Sequence, residues 1–414
     1  MDSALRICFV HNLNLDAPFG ATLRGIALLR ALNELGTVDI VKVSGDEGED
    51  ISEPSRWSEG IHYVLHSPQA FLPVAREPQK GLWSRHRLTS FVQTLLQPQP
   101  SPALPWSSQL PVPESYDLVW TNDWPANRVG ASIPARARVW DMVDYALYGD
   151  TDAAGPGIAL SDVPALGLRR VLGNRLRRMS HRQEYTSHAA LVDHCALSHA
   201  GEATRSGISP LTEIPNAYPF APEPSSIEPT HHRLPHVLFV GGFTYPPNRE
   251  GMDWFLAEVW PLVEHRVPRA ELHIVGDAGH ATYGTGAGAV HVHDRVGDLT
   301  PLLATASISV APLLAGTGSR LKILESWAHG VPVVSTSIGA SGLNAHPGEN
   351  ILIADTAHDF ADAIAQLLDD PRLATRIAAK GLETFVRDHS QQRIDADVAR
   401  VVQQVLGGTS GHAQ

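Results

Sequence analysis

Short apolar runs alternate with amphipathic stretches along most of this chain. Near the start, "LRICFV" ends in a polar loop, "HNLNLDAPFGAT", after which Leu23, Ile26, Ala27, Arg30 and Ala31 recur at helical spacing. That order predicts strand, loop, helix. The runs "VDIVKV", "IHYVL", "YDLVWTN", "ARVWDMV" and "AALVDHCALS" are rich in strand formers and are separated by helical patterns or proline-rich loops. Alternation of this kind predicts a parallel sheet. From Ser67 to Glu114 prolines are frequent around one predicted helix, "HRLTSFVQTLL", and the segment reads as an elaboration on that sheet.

Residues 216 to 235, "NAYPFAPEPSSIEPTHHRLP", hold five prolines with little apolar periodicity and are the best linker candidate. Beyond them the alternation restarts more regularly. "HVLFVGG", "AELHIVG", "AVHVHD", "SISVAPL", "VPVVST" and "NILIAD" predict strands; "DWFLAEVWPLVEH", "LTPLLATA" and "AHDFADAIAQLL" predict helices. Past Gly381, the positions Ile394, Val398, Val401, Val402 and Val405 predict a final amphipathic helix. The expected organisation is a first Rossmann-like domain over 1–218, a second over 219–385, and a last helix and tail over 386–414.

Composition narrows the function classes. A chain of 414 residues, 43% hydrophobic, exceeds what one core supports, so two domains are expected. A formal net charge of -12 argues against nucleic acid as the main partner. Cys8 and Cys195 lie in apolar runs and read as small buried hydrophobes. Neither a membrane-spanning run nor a signal-peptide layout is seen, so the expected location is the cytoplasm. Six arginines in "LRRVLGNRLRRMSHR" leave peripheral contact with an anionic membrane face open, beside a solvated helix face.

The densest chemistry lies in "GTGSRLKILESWAHGVPVVST", residues 316 to 336. With a helix starting near Ser319, Leu321, Leu324 and Ala328, flanked by Ile323 and Trp327, form the packing face. Gly318, Lys322, Glu325 and His329 then form a polar stripe along one side. Amides at a helix start, with close-approaching glycines and the cations Arg320 and Lys322, suit a phosphate. A turn deeper, Glu325 can accept hydrogen bonds from two sugar hydroxyls. Together these describe a nucleotide site. Spacing alone supports equally an exposed Lys322–Glu325 ion pair with glycines that only make a turn. Placement after "SISVAPL", at the carboxyl edge of a sheet, favours the ligand reading.

From "HVLFVGG" to "FADAIAQLL" the chain resembles the C-terminal half of family-4 retaining glycosyltransferases, and most closely in "APLLAGTGSRLKILESWAHGVPVVSTSIGASGL" followed by "GENILIADTAHDFADAI". The resemblance implies the GT-B fold: two facing Rossmann-like domains with a C-terminal helix returning toward the first. It implies transfer of a sugar from a nucleoside diphosphate sugar to a saccharide, lipid-linked or small-molecule acceptor, with no cofactor and no metal. By the same resemblance Glu325 holds the donor ribose, and Arg320, Lys322, Gly318, Ser319, Gly241, Gly242 and Gly20 meet the diphosphate. Arg295 and Val296 lie where the base is met, Arg295 being equally readable as a structural ion pair. In the other domain Asn122 and Asp123 occupy a family catalytic position.

The chain departs from the family pattern at three places. Thr317 stands where many members carry a glutamate beside the donor sugar. Asn122 replaces a histidine and cannot act as a base, so a strand-end turn made by Asn122 and Asp123 competes with a catalytic role. Arg249 is the nearest cation after "GGF", where members carry an arginine and a lysine. These departures keep two alternatives in play, a sugar-nucleotide epimerase and a silent nucleotide-sugar-binding subunit. Asp150 to Asp152 and the histidines of "HVHD" and "THHRLP" are read as solvated or structural groups, the histidines for want of partner ligands at suitable spacing.

Overall fold

The computed structural model describes residues 4–15, 21–46, 51–54, 57–67, 70, 103–104, 113–142, 185–199, 206–222, 234–316 and 320–408. The predicted helix of the proline-rich segment, the arginine-rich run, Asp150 to Asp152, Gly20, Thr317, Gly318 and Ser319 lie outside them. The chain divides into two compact units, one of Met1–Pro215 with Ile394–Gln414 and one of Asn216–Arg393.

In the first unit, strands β1 (Leu5–His11), β2 (Gly36–Ser44), β3 (Ile51–Pro54), β4 (Ile61–His66), β5 (Tyr116–Asn122), β6 (Ala135–Asp141), β7 (His194–Leu197) and β8 (Leu211–Glu213) form one sheet. Its order is β3-β4-β2-β1-β5-β6-β7-β8. All its pairs are parallel except β3 with β4. Helix α1 (Ala21–Asn33) follows β1, and α2 (Trp124–Gly130) follows β5. Strand order reverses between β1 and β5, so the polar ends of those two strands, His11 and Asn122, flank the switch point. Cys8 and Cys195 are buried and unpaired with each other, as expected. The short strands β3 and β8 carry little apolar signal and escape a sequence reading.

The second unit contains a six-stranded, wholly parallel sheet: β9 (Leu234–Val240), β10 (Glu271–Val275), β11 (Val290–His293), β12 (Ala306–Ala311), β13 (Val333–Ser335) and β14 (Leu352–Ile353), in the order β11-β10-β9-β12-β13-β14. All six coincide with predicted runs. Strand alternation builds two cores, with Val237, Phe239, Leu272 and Ile274 on one face and Leu238 and Val275 on the other. Its helices are α3 (Pro246–Trp254), α4 (Trp260–Arg266), α5 (Gly279–Tyr283), α6 (Thr300–Thr305), α7 (Leu321–Ala328), α8 (Ala357–Asp369) and α9 (Pro371–Asp388), and α10 (Gln391–Gly408) is the last described element.

Three expectations are corrected. The single helix predicted through "DWFLAEVWPLVEH" is α3 and α4 joined by a π-helical turn at Phe255–Val259, next to Pro261, whose ring nitrogen cannot donate to an α-helical ladder. Helix α9 has no counterpart among the predicted elements. Gly381 lies inside that helix because the Trp327 indole rests on it: a Cβ there would sit 2.5 Å from Trp327 Cδ1. The helix is opened by Asp370, whose carboxylate accepts from the amides of Arg372 and Leu373, with Pro371 at the first turn. Finally, the histidines of β11 do have neighbours of ligand type. They come from β9 and β10 across the sheet, a proximity that linear spacing does not express.

Candidate active site

Strand order in the second unit reverses between β9 and β12, so ligands of such a sheet bind at the carboxyl ends of these two strands. Gly241 and Gly242 follow β9, and α7 opens after the loop that leaves β12. Gly241 is fixed by its amide donating to Val275 O. A Cβ on it would lie 3.0 Å from Lys322 Nζ and 2.9 Å from Asn248 Nδ2, so only glycine leaves room for both. Lys322 Nζ donates to Asn248 Oδ1 at 2.8 Å and stands 4.1 Å above the Phe239 ring. Asn248 is itself held by donating from Nδ2 to Gly242 O at 2.9 Å. The glycine turn, Asn248 and Lys322 therefore form one connected group.

Glu325 lies one turn further along α7, 7% exposed, with the Tyr218 hydroxyl hydrogen-bonded to its carboxylate. It does not pair with Lys322. The alternative of an exposed ion pair is overturned, since each side chain has a different partner and both are largely enclosed. Burial, assisted by the neighbouring Arg320 charge, pulls the Lys322 ammonium down to about 7. Burial pushes the Glu325 carboxyl up to about 7 against the hydrogen bond from Tyr218. Each group thus holds a charge that its surroundings do not fully repay, which is the electrostatic condition of a site that completes itself with a polar ligand.

Arg320 sits at the N-cap of α7. Its Nη2 donates to Gly316 O and Ile338 O, both at 2.8 Å, tying the loop before α7 to the segment after β13. Its charge is felt at Lys322, so it contributes field as well as support. His329 closes the helix, with Nδ1 2.8 Å from Glu325 O and its ring 5.7 Å from that of Tyr218. Arg295 is exposed on the loop after β11, and Val296 packs on the Leu238–Val275 core. The core of the predicted stripe, Lys322 and Glu325 with His329 behind them, is on the same side of α7.

Two participants were missed. Asn248 lies in the quoted loop "GGFTYPPNRE", where attention to charge selects Arg249. Tyr218 falls in the predicted linker, and no local signal ties it to Glu325, 107 residues away by the numbering.

In the first unit, Asn122 is fully buried and donates from Nδ2 to Asp141 Oδ2 at 2.7 Å, while Arg24 pairs with the same carboxylate through Nε at 2.9 Å and Nη2 at 2.6 Å. This makes Asn122 a strut within a buried charged network. Asp123 takes a positive φ of 71°, accepts from its neighbour's amide, Trp124 N, and caps α2. Burial raises its carboxyl to about 6.

Two α/β units on sheets of this order, one wholly and one almost wholly parallel, have the GT-B fold. Residues 234–370 match the family model described as glycosyl transferases group 1. Phosphatidyl-myo-inositol mannosyltransferase of Mycobacterium leprae (strain TN) is 30% identical over 183 residues, 42% of this chain and 47% of that protein. Sucrose-phosphate synthase (tll1590) from Thermosynechococcus elongatus superposes with a TM-score of 0.63 at 18% identity, covering 98% of this chain and all 100% of that one. Anabaena Alr3699/HepE, solved in complex with UDP and glucose, gives 0.58 at 15% identity over 96% of this chain and 99% of the other. The chain spans less than half the length of the curated relatives it matches, between 22% and 47%.

Proposed function

We propose that this protein is a retaining, family-4 glycosyltransferase that moves a sugar from a nucleoside diphosphate sugar to a hydroxyl of a saccharide, lipid-linked or small-molecule acceptor. The observation that carries the reading is the Gly241–Asn248–Lys322 group at the switch point, with buried Glu325 one helical turn behind it. The UDP complex of a protein with the same fold makes a uridine donor the first to try.

In this reading Lys322 binds the diphosphate where Gly241 lets it approach, and the first amides of α7 add their partial charge. Glu325 accepts hydrogen bonds from the ribose hydroxyls. The anomeric C–O bond to the diphosphate breaks, the acceptor oxygen bonds to that carbon on the same face, and the acceptor proton passes to a departing phosphate oxygen. Negative charge grows on the leaving group as this happens, so Lys322 stabilises the transition state more than the ground state. One such donor is commonly worth about 2.7–4 kcal/mol of barrier. The protein's own cations supply this stabilisation, and the proposed step uses no metal.

A panel of nucleoside diphosphate sugars with chiral analysis of the products tests the proposal. Glycoside formation, or slow donor hydrolysis with retained configuration, is expected. Inversion within an intact donor would instead establish an epimerase, and binding with no turnover a silent donor-binding subunit; either would overturn the transferase reading.

A further inference from the structure

Strands β9, β10 and β11 carry a cluster that the donor chemistry does not use. Parallel register sets Glu271 opposite His236 and His273 opposite His291, and Glu271 and His273 are two apart on one strand, so all four share one face of the sheet. Three imidazole nitrogens converge on a single carboxylate oxygen. His236 Nε2 is 3.2 Å, His291 Nε2 3.6 Å and His273 Nε2 3.8 Å from Glu271 Oε2.

Hydrogen bonding alone explains this poorly. His273 Nε2 is buried and has no hydrogen-bond partner among the described residues, an arrangement that is unfavourable for a polar atom. Its other nitrogen, Nδ1, lies 3.2 Å from His293 Nε2, which fixes the ring and leaves Nε2 aimed into the cluster. Ligands bound at about 2.0–2.1 Å to a tetrahedral ion stand roughly 3.3 Å apart, close to the spacings found here. Ligand atoms of His236, Glu271 and His273 all lie within 4.8 Å of one another.

We propose that His236, Glu271 and His273, with His291 as fourth ligand, form a binding site for a divalent transition metal of the zinc class. Imidazole nitrogens with one carboxylate suit zinc, cobalt or nickel better than magnesium or calcium. Side-chain exposures of 45% for Glu271 and 43% for His291 give an ion a way in. Glu271 begins β10 and Val275 ends it, so Glu271 lies about 13 Å and His273 about 7 Å along the strand from the switch-point end. The ion therefore clamps three strands within the body of the sheet, short of the switch-point edge, and takes no part in transfer.

The test uses the untagged, chelator-treated full chain, titrated with Zn2+ by calorimetry and with Co2+ by visible absorption. One ion per chain is expected, with ligand-field bands of four-coordinate intensity and a higher melting temperature. His236→Asn and Glu271→Gln should each weaken binding by more than about a hundredfold, and His293→Asn, an outer-shell change, by the smaller factor of about 10–100. Exposed His291→Asn serves as the readout should a more buried variant fail to melt cooperatively. Zn2+ affinity unchanged in these variants, or uptake with no defined stoichiometry, overturns the proposal.

Discussion

Glu325 and Lys322 are charged groups placed where charge is disfavoured, and the consequence for stability can be signed. A carboxyl raised from its ordinary 4.5 to about 7 stabilises the fold relative to the unfolded chain below 4.5 and loses that contribution as pH rises through 7. The gap corresponds to on the order of 3 kcal/mol when fully developed. Glu325→Gln keeps a partner for Tyr218 and removes the charge, so without ligand it should melt above wild type at pH 8, the difference vanishing toward pH 5. Melting curves that run parallel at both pH values would show that Glu325 is not held this way. Of this site, the stripe on α7 is legible from spacing, because a helix converts offsets of three and four into one face. Asn248 and Tyr218 are not legible, because each reaches α7 only through the tertiary fold. Arg320 was legible as a cation but not as a clamp, since two backbone carbonyls are its partners.

Among elements, the second sheet was readable strand by strand because each buried run is apolar and short, bounded by glycine, proline or a polar turn. Helix α9 contains Gly381, a residue that normally marks a helix end. Here the glycine answers to a neighbouring helix, since Trp327 on α7 occupies the place of its missing side chain. Gly381→Ala sets two effects against each other. Helix propensity favours alanine by about 1 kcal/mol. Overpacking against a fully buried indole costs roughly 1–3 kcal/mol and prevails, because the added Cβ would meet the rigid ring of Trp327 at 2.5 Å. A lower urea midpoint than wild type is expected; a higher one would mean that α7 and α9 adjust to one another. The same contact links α9 to the helix that bears Lys322 and Glu325, so the variant should also weaken UDP binding.

At the scale of the molecule, a chain of net charge -12 is proposed to bind a dianionic donor, and that requires cations gathered locally and kept from pairing with its own carboxylates. Lys322 meets the requirement by hydrogen-bonding to a neutral amide, Asn248. The fold class followed from alternating strands and helices, and the return of the chain from Ile394 to the first unit is a grouping that no local pattern encodes. No helix among the described residues is long and apolar enough to cross a membrane. The central claim is that Lys322 and Glu325 hold a nucleoside diphosphate, and calorimetric titration of UDP into wild type, Lys322→Ala and Glu325→Gln tests it most directly. The prediction is one UDP per chain with affinity lowered about tenfold or more in each variant, the worth of a hydrogen bond to a charged group. Equal affinity in all three proteins would contradict it.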